Sequence, residues 1–143
     1  MKRFVAAVAV SVLSAAAFAG QPAEDARQHF QAIAAGDIAQ LSRNYAEQAQ
    51  LNWVGGPLDG TYAGAEAIRS VWDKFAKSQG PLKLTVSDLQ ESANPKGSTV
   101  SANVLFEGKQ PIKVRHVLVY RDGKLVSETW QIDPKLAVAA SAS

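Results

Sequence analysis

The chain reads as an α+β protein, and three observations carry that expectation. Apolar residues recur at helical spacing up to Lys77, strand-like alternation takes over from Leu82, and Gly/Pro clusters punctuate the change. Ahead of the folded part, Lys2-Arg3 forms a positive start, Phe4 to Leu13 an apolar run, and Ala17-Phe18-Ala19 a small-residue cleavage site. Residues 1–19 are therefore expected to be a signal peptide, with the mature chain starting at Gly20 or Gln21. An uncleaved anchor would need about 20 apolar residues, more than this run has. The mature protein is expected to be soluble and exported: periplasmic in a Gram-negative source, otherwise secreted, with no membrane attachment after cleavage.

The first helix is expected over Pro22 to Ala35, with Glu24 and Asp25 at its positive end and Ala26, Phe30 and Ile33 as its buried stripe. Gly36 ends it, and Asp37 caps a short second helix carrying Ile38, Leu41 and Tyr45. A strand carries Leu51 to Val54. A third helix, Ala65 to Lys77, buries Ile68, Val71, Trp72 and Phe75 and pairs Asp73 with Lys77 on its wet side. Four strands follow over Leu82–Leu89, Ser98–Glu107, Ile112–Tyr120 and Lys124–Ile132, joined by turns at 94–97, 108–111 and 121–124. Leu136 to Ser143 is Ala/Ser-rich, and 135–143 is expected to be a flexible tail.

A two-residue Asp122-Gly123 loop pairs Arg121 with Lys124, and unbroken counting then pairs Val119 with Val126, Val117 with Glu128, and Arg115 with Trp130. One sheet face would then carry Arg115, Glu128 and Trp130. The other would carry Val114, His116, Leu118, Tyr120 and Leu125, an apolar set expected to form a homodimer contact with His116 inside it.

The run from Ala34 to Trp72, reading AAGD, NYAE and LNWVGGPLDGTYAGAEAIRSVW, resembles the nuclear transport factor 2-like, or SnoaL-like, superfamily with its ketosteroid-isomerase-like fold. The resemblance extends over Ala23 to Pro134. It implies a single domain over 20–134: a cone-shaped α+β barrel in which three N-terminal helices pack in a curved antiparallel sheet with a cavity at its open end. Comparison with the ketosteroid isomerases implies that Arg115 stands where their pocket acid is, His29 at their oxyanion tyrosine and Trp53 at their base aspartate. A tryptophan takes no proton and an arginine is no neutral acid, so steroid isomerisation is excluded on residue type.

Composition removes other classes. Loss of the signal leaves thirteen basic against thirteen acidic residues, scattered singly, which argues against a nucleic-acid partner. With no cysteine there is neither a disulfide framework nor a thiolate nucleophile. No G-x-S-x-G elbow is present, and Gly55-Gly56-Pro57 lacks the helix start of a phosphate loop. His29 and His116, the only histidines, are placed on different elements and opposite sides, so neither metal nor cofactor is expected.

The candidate ligand-binding residues are Arg115, Glu128, His29, Trp53 and Trp130. Arg115 and Glu128 make either a structural ion pair or a clamp for an anionic or carbonyl ligand. His29, with Asp25 one turn earlier, is a core-edge histidine or a base; Trp53 and Trp130 are core or walls for a planar ligand. The leading expectation is an exported pocket domain for a small, partly apolar or anionic molecule, non-catalytic or of unknown activity. The alternative is a lyase, cyclase or hydrolase with His29 or Glu128 as base and Arg115 as clamp; scytalone dehydratases and limonene epoxide hydrolases resemble the fold, but only fragments of their residue sets match. A purely structural dimerisation module is the third reading.

Overall fold

The computed structural model describes residues 21–138. The expected signal peptide lies outside the described residues. Helix α1 (Gln21–Ala35) turns Ala26, His29, Phe30 and Ile33 inward. It stops at Gly36, whose φ of +71° suits a residue without Cβ, while the Asp37 amide donates back to the Ala32 carbonyl at 2.9 Å. The Asp37 carboxylate accepts from the Gln40 amide at 3.1 Å and so starts α2 (Ile38–Asn44).

Tyr45 does not end α2 on the helix as expected. It is extended and opens β1 (Tyr45–Val54), a strand that begins well before Leu51. Its side chain is thereby sent into the core. A short strand, β2 (Gly60–Ala63), then leads into α3 (Ala65–Gln79), whose buried residues are Ile68, Val71, Trp72 and Phe75. The meander β3 (Lys83–Asn94), β4 (Gly97–Glu107), β5 (Pro111–Arg121) and β6 (Lys124–Ile132) completes the chain. Among the described residues no helix is long and apolar enough to cross a membrane.

The six strands make one open sheet in the order β2-β1-β6-β5-β4-β3. Every pairing is antiparallel except β1 with β6, so the sheet is mixed, and the last strand lies beside the first. Register breaks in β1 between Tyr45 and Gln50, and in β3 between Ser87 and Gln90, where Asp88 has a φ of +51°. Such breaks bend a sheet, and here the bent sheet wraps the helices as an α+β cone.

A third break corrects the hairpin register. Arg121 does pair with Lys124, but Tyr120 pairs with Leu125 and Val119 with Ser127, leaving Val126 as the extra residue of a bulge. Beyond it every β5 partner is displaced by one position: Leu118 faces Glu128, His116 faces Trp130, and Arg115 faces Gln131. Because side chains alternate along a strand, this one residue brings Glu128 and Trp130 to the same inner face as Leu125, Val114, His116, Leu118 and Tyr120. Those four β5 side chains and Leu125 are buried in the core. The apolar set expected to form a dimer contact is thus inside the protomer, and the outer face carries Arg115 with half-buried Val117, Val119 and Val126.

Of the expected tail, 135–138 are described and the rest lies outside the described residues. The Asp133 amide donates to the Lys113 carbonyl at 2.9 Å, and Asn103 Nδ2 to the Ala137 carbonyl at 3.3 Å.

Candidate functional site

Two places in the cone hold chemistry. The first is a polar cluster at the waist, assembled from α1, β1, β5 and β6 and buried on all sides. Glu128 Oε2 accepts from His29 Nε2 at 2.7 Å and from His116 Nε2 at 2.5 Å. Its other oxygen accepts from the Tyr45 hydroxyl, which in turn accepts from Trp72 Nε1 at 2.8 Å. His29, His116 and Glu128 are each at most 1% exposed. Among the described residues, the Nδ1 atom of each histidine and Nε1 of Trp130 have no hydrogen-bond partner.

Burial alone would push the Glu128 carboxyl upward. Interaction with His29 and the hydrogen bonds from both imidazoles outweigh it, and the group is held well below the usual carboxylate range. Burial drives the His116 imidazole down against the opposing pull of Glu128. The Tyr45 and Tyr120 phenols are pushed well up, by burial first and by the Glu128 charge second. The cluster is a carboxylate held by imidazole and phenol donors, the satisfied state that burial of a charge requires.

Aromatic rings close it off. Trp130 packs against Trp53, Phe106, Trp72, Phe75 and His116 with ring centroids 4.9 to 5.4 Å apart. Phe30 lies 4.9 Å from His116 on the helix side.

The second place is an open recess at the mouth of the cone, of about 830 Å³. Its walls include Trp53, Phe75, Leu58, Ile112 and Ile132, and three lysines, Lys74, Lys109 and Lys113, stand around them. No aspartate or glutamate is among its lining residues.

The expected site residues separate between these places. His29 and Glu128 meet at the waist, Trp53 lines the mouth, and Trp130 forms the layer between. Arg115 joins none of them. It is exposed on the outer face, where its Nη1 donates to Asn103 Oδ1 at 2.9 Å, so the expected pairing with Glu128 is replaced by His116 through the Val126 bulge. Asp25 does not orient His29 either; it accepts from Gln21 Nε2 at 2.7 Å. The expectation of no metal rested on placing His116 outside, and that ground is gone.

His116, Tyr45 and the lysines were missed. A signal for His116 was present: Lys113, Arg115 and Arg121 alternate along one side of β5, which marks that side as wet and the side of Val114, His116, Leu118 and Tyr120 as core.

A family model described as a SnoaL-like domain matches residues 26–128. Among solved structures, the chain is similar to a nuclear transport factor 2-like protein of unknown function from Pseudomonas putida KT2440, at 18% identity over 91% of this chain and 98% of the other, with a TM-score of 0.71. It is also similar to a candidate dehydratase of the same family from Streptomyces avermitilis, at 18% identity over 87% and 100% of the two chains and a TM-score of 0.68. A de novo designed protein with a curved β-sheet shares the shape at 17% identity, over 80% and 87%, with a TM-score of 0.64. No curated protein matches.

Proposed function

The chain belongs to the SnoaL-like domain family, and on that premise we propose that it binds, without transforming, a small amphipathic anion at the mouth of its cone. The observation that carries this reading is the separation of the two places. The recess has the volume of a small-molecule site, apolar walls and three lysines with no carboxylate. The groups able to move protons, Glu128, His29 and His116, are sealed behind Trp130 and Trp72. A general base must come within hydrogen-bond reach of the proton it takes, directly or through one water, and a ligand in the recess meets neither histidine nor carboxylate. The filled waist alone would suit a structural module; the recess favours binding. For delivery outside the cytoplasm, the start of the chain is the support, and N-terminal sequencing of the native protein should begin at Gly20 or Gln21.

A second reading, a lyase, is favoured by the 2.7 Å His29–Glu128 contact and by likeness to the candidate dehydratase. It requires a substrate to displace Trp130 from the waist.

The test compares three probes with one tail: decanoate, decanol and decylamine, followed by the fluorescence of Trp53 against a Trp53→Phe background. Decanoate should bind at least about tenfold more tightly than decylamine, and the preference should fall as salt rises. Equal affinity for the anion and the amine, or no binding of decanoate, overturns the proposal.

A further inference from the structure

The waist cluster has a geometry the proposed binding function does not use. His29 Nε2, His116 Nε2 and a Glu128 carboxylate oxygen come from α1, β5 and β6, yet all lie within 4.8 Å of one another. Both imidazoles aim the same ring nitrogen at one carboxylate oxygen. The Tyr45 oxygen stands 3.4 Å from His29 Nε2 and also reaches Glu128, so a fourth donor is in place. We propose that these four residues form a closed, tetrahedral site for a divalent metal ion, zinc by its donor set, which clamps the waist of the cone.

Two imidazole nitrogens, a carboxylate and a phenol oxygen are ligands zinc accepts, at about 2.0 to 2.2 Å, and such bonds separate tetrahedral donors by roughly 3.4 Å. The Tyr45–His29 separation already has that value. The two Glu128 contacts, at 2.7 and 2.5 Å, are hydrogen-bond lengths, and a metal between the donors would widen them by less than about 1 Å.

Protons must balance. To take the ion each imidazole must offer an unprotonated Nε2, so a proton there moves to Nδ1 or leaves to solvent. Neither Nδ1 has a partner, so each metal-bound imidazole leaves a buried N–H without an acceptor, a cost that the metal bonds must exceed. Tyr45 gives its phenolic proton to solvent. The dipositive ion with the Glu128 carboxylate and the Tyr45 phenolate is then neutral, as a site this deeply buried demands. All four positions are protein ligands and none opens to the recess, which makes the site structural and not catalytic.

The chain makes the test clean, because it has two histidines and no cysteine, leaving no other nitrogen or sulfur set for tight zinc binding. Tag-free protein is unfolded in chelator, refolded with and without Zn²⁺, and assayed for bound metal and Tm. One ion per chain is expected, with Tm raised by roughly 10 °C at a hundredfold excess over Kd. Refolding with Co²⁺ should give the strong visible bands of tetrahedral coordination. In Glu128→Gln and in His116→Gln the zinc affinity should fall at least a hundredfold. Wild-type protein that refolds with under a tenth of an ion per chain and an unchanged Tm overturns the proposal. So does Co²⁺ bound with only weak octahedral bands, a result that stands even where a variant does not fold.

Discussion

The waist and the mouth of this cone share β1, α3, β5 and β6 and divide their chemistry in opposite ways. At the waist, β5 and β6 supply His116 and Glu128, and the rings of Trp72 and Trp130 shut them in. At the mouth, where β5 and β6 supply Ile112 and Ile132, the walls are apolar and the charges are lysines at the rim. The titratable groups of the waist are buried, and the open recess is lined by neither histidine nor carboxylate. Likeness of fold is therefore a poor guide to activity: the shared shape delivers a cone, and one or two bulky residues decide whether its interior is a site or a core.

Trp130→Ala attacks the division most directly. It should cost about 3 to 5 kcal/mol in urea unfolding, because Trp130 is fully buried among rings that cannot all relax into the gap. If the variant instead keeps its midpoint and gains turnover of a carbonyl or hydroxyl substrate, the waist is a closed active site and the lyase reading takes over. Tyr45→Phe probes the polar half of the same region. It removes the phenol donor to Glu128 and leaves the Trp72 indole N–H without an acceptor, at a cost of about 1 to 3 kcal/mol, read from the same urea curves of metal-free protein. A neutral result would mean that water satisfies these groups, contradicting a sealed waist.

Arg115→Met sharpens the contrast from outside. An exposed guanidinium with one neutral partner should contribute less than about 1 kcal/mol, whereas an arginine paired with buried Glu128 would cost about 3 to 5. A loss of the larger size would restore the unbulged register. The smallest effect on stability, within about 0.5 kcal/mol, is expected for Lys74, Lys109 and Lys113 changed together to Gln, with decanoate affinity reduced toward that of decanol. Unaltered decanoate affinity would remove the lysines from the account of the mouth.

The elements were legible because helix and strand periods differ: the stripe Ile68, Val71, Trp72, Phe75 and the alternation in β5 admit few other readings. The family, too, could be read from the order of elements. The parallel β1–β6 pairing was not, since nothing in either strand marks a partner so distant in sequence. The site went astray at Val126. Hairpin counting is reliable only while the ladder is regular, and one extra residue exchanged Arg115 for His116. The Lys113, Arg115, Arg121 alternation marks the wet side of β5 independently of the turn. Tyr45 was lost for a different reason, a helix ending one residue earlier than its apolar spacing suggests, a boundary set by the strand that follows.

The pairing of the first long strand with the last also governs when the fold can exist. As a chain emerges from its N-terminus, β1 has only the four residues of β2 beside it until β6 has been made. Leu51 and Trp53 have no sheet neighbour on that side before then, and His29 must wait 99 residues for Glu128. Contacts of such long range are formed late and expose apolar surface in the interval. A chain stopped before Lys124 does not become a smaller cone. It lacks the strand that joins β1 to β5 and leaves both histidines without their carboxylate.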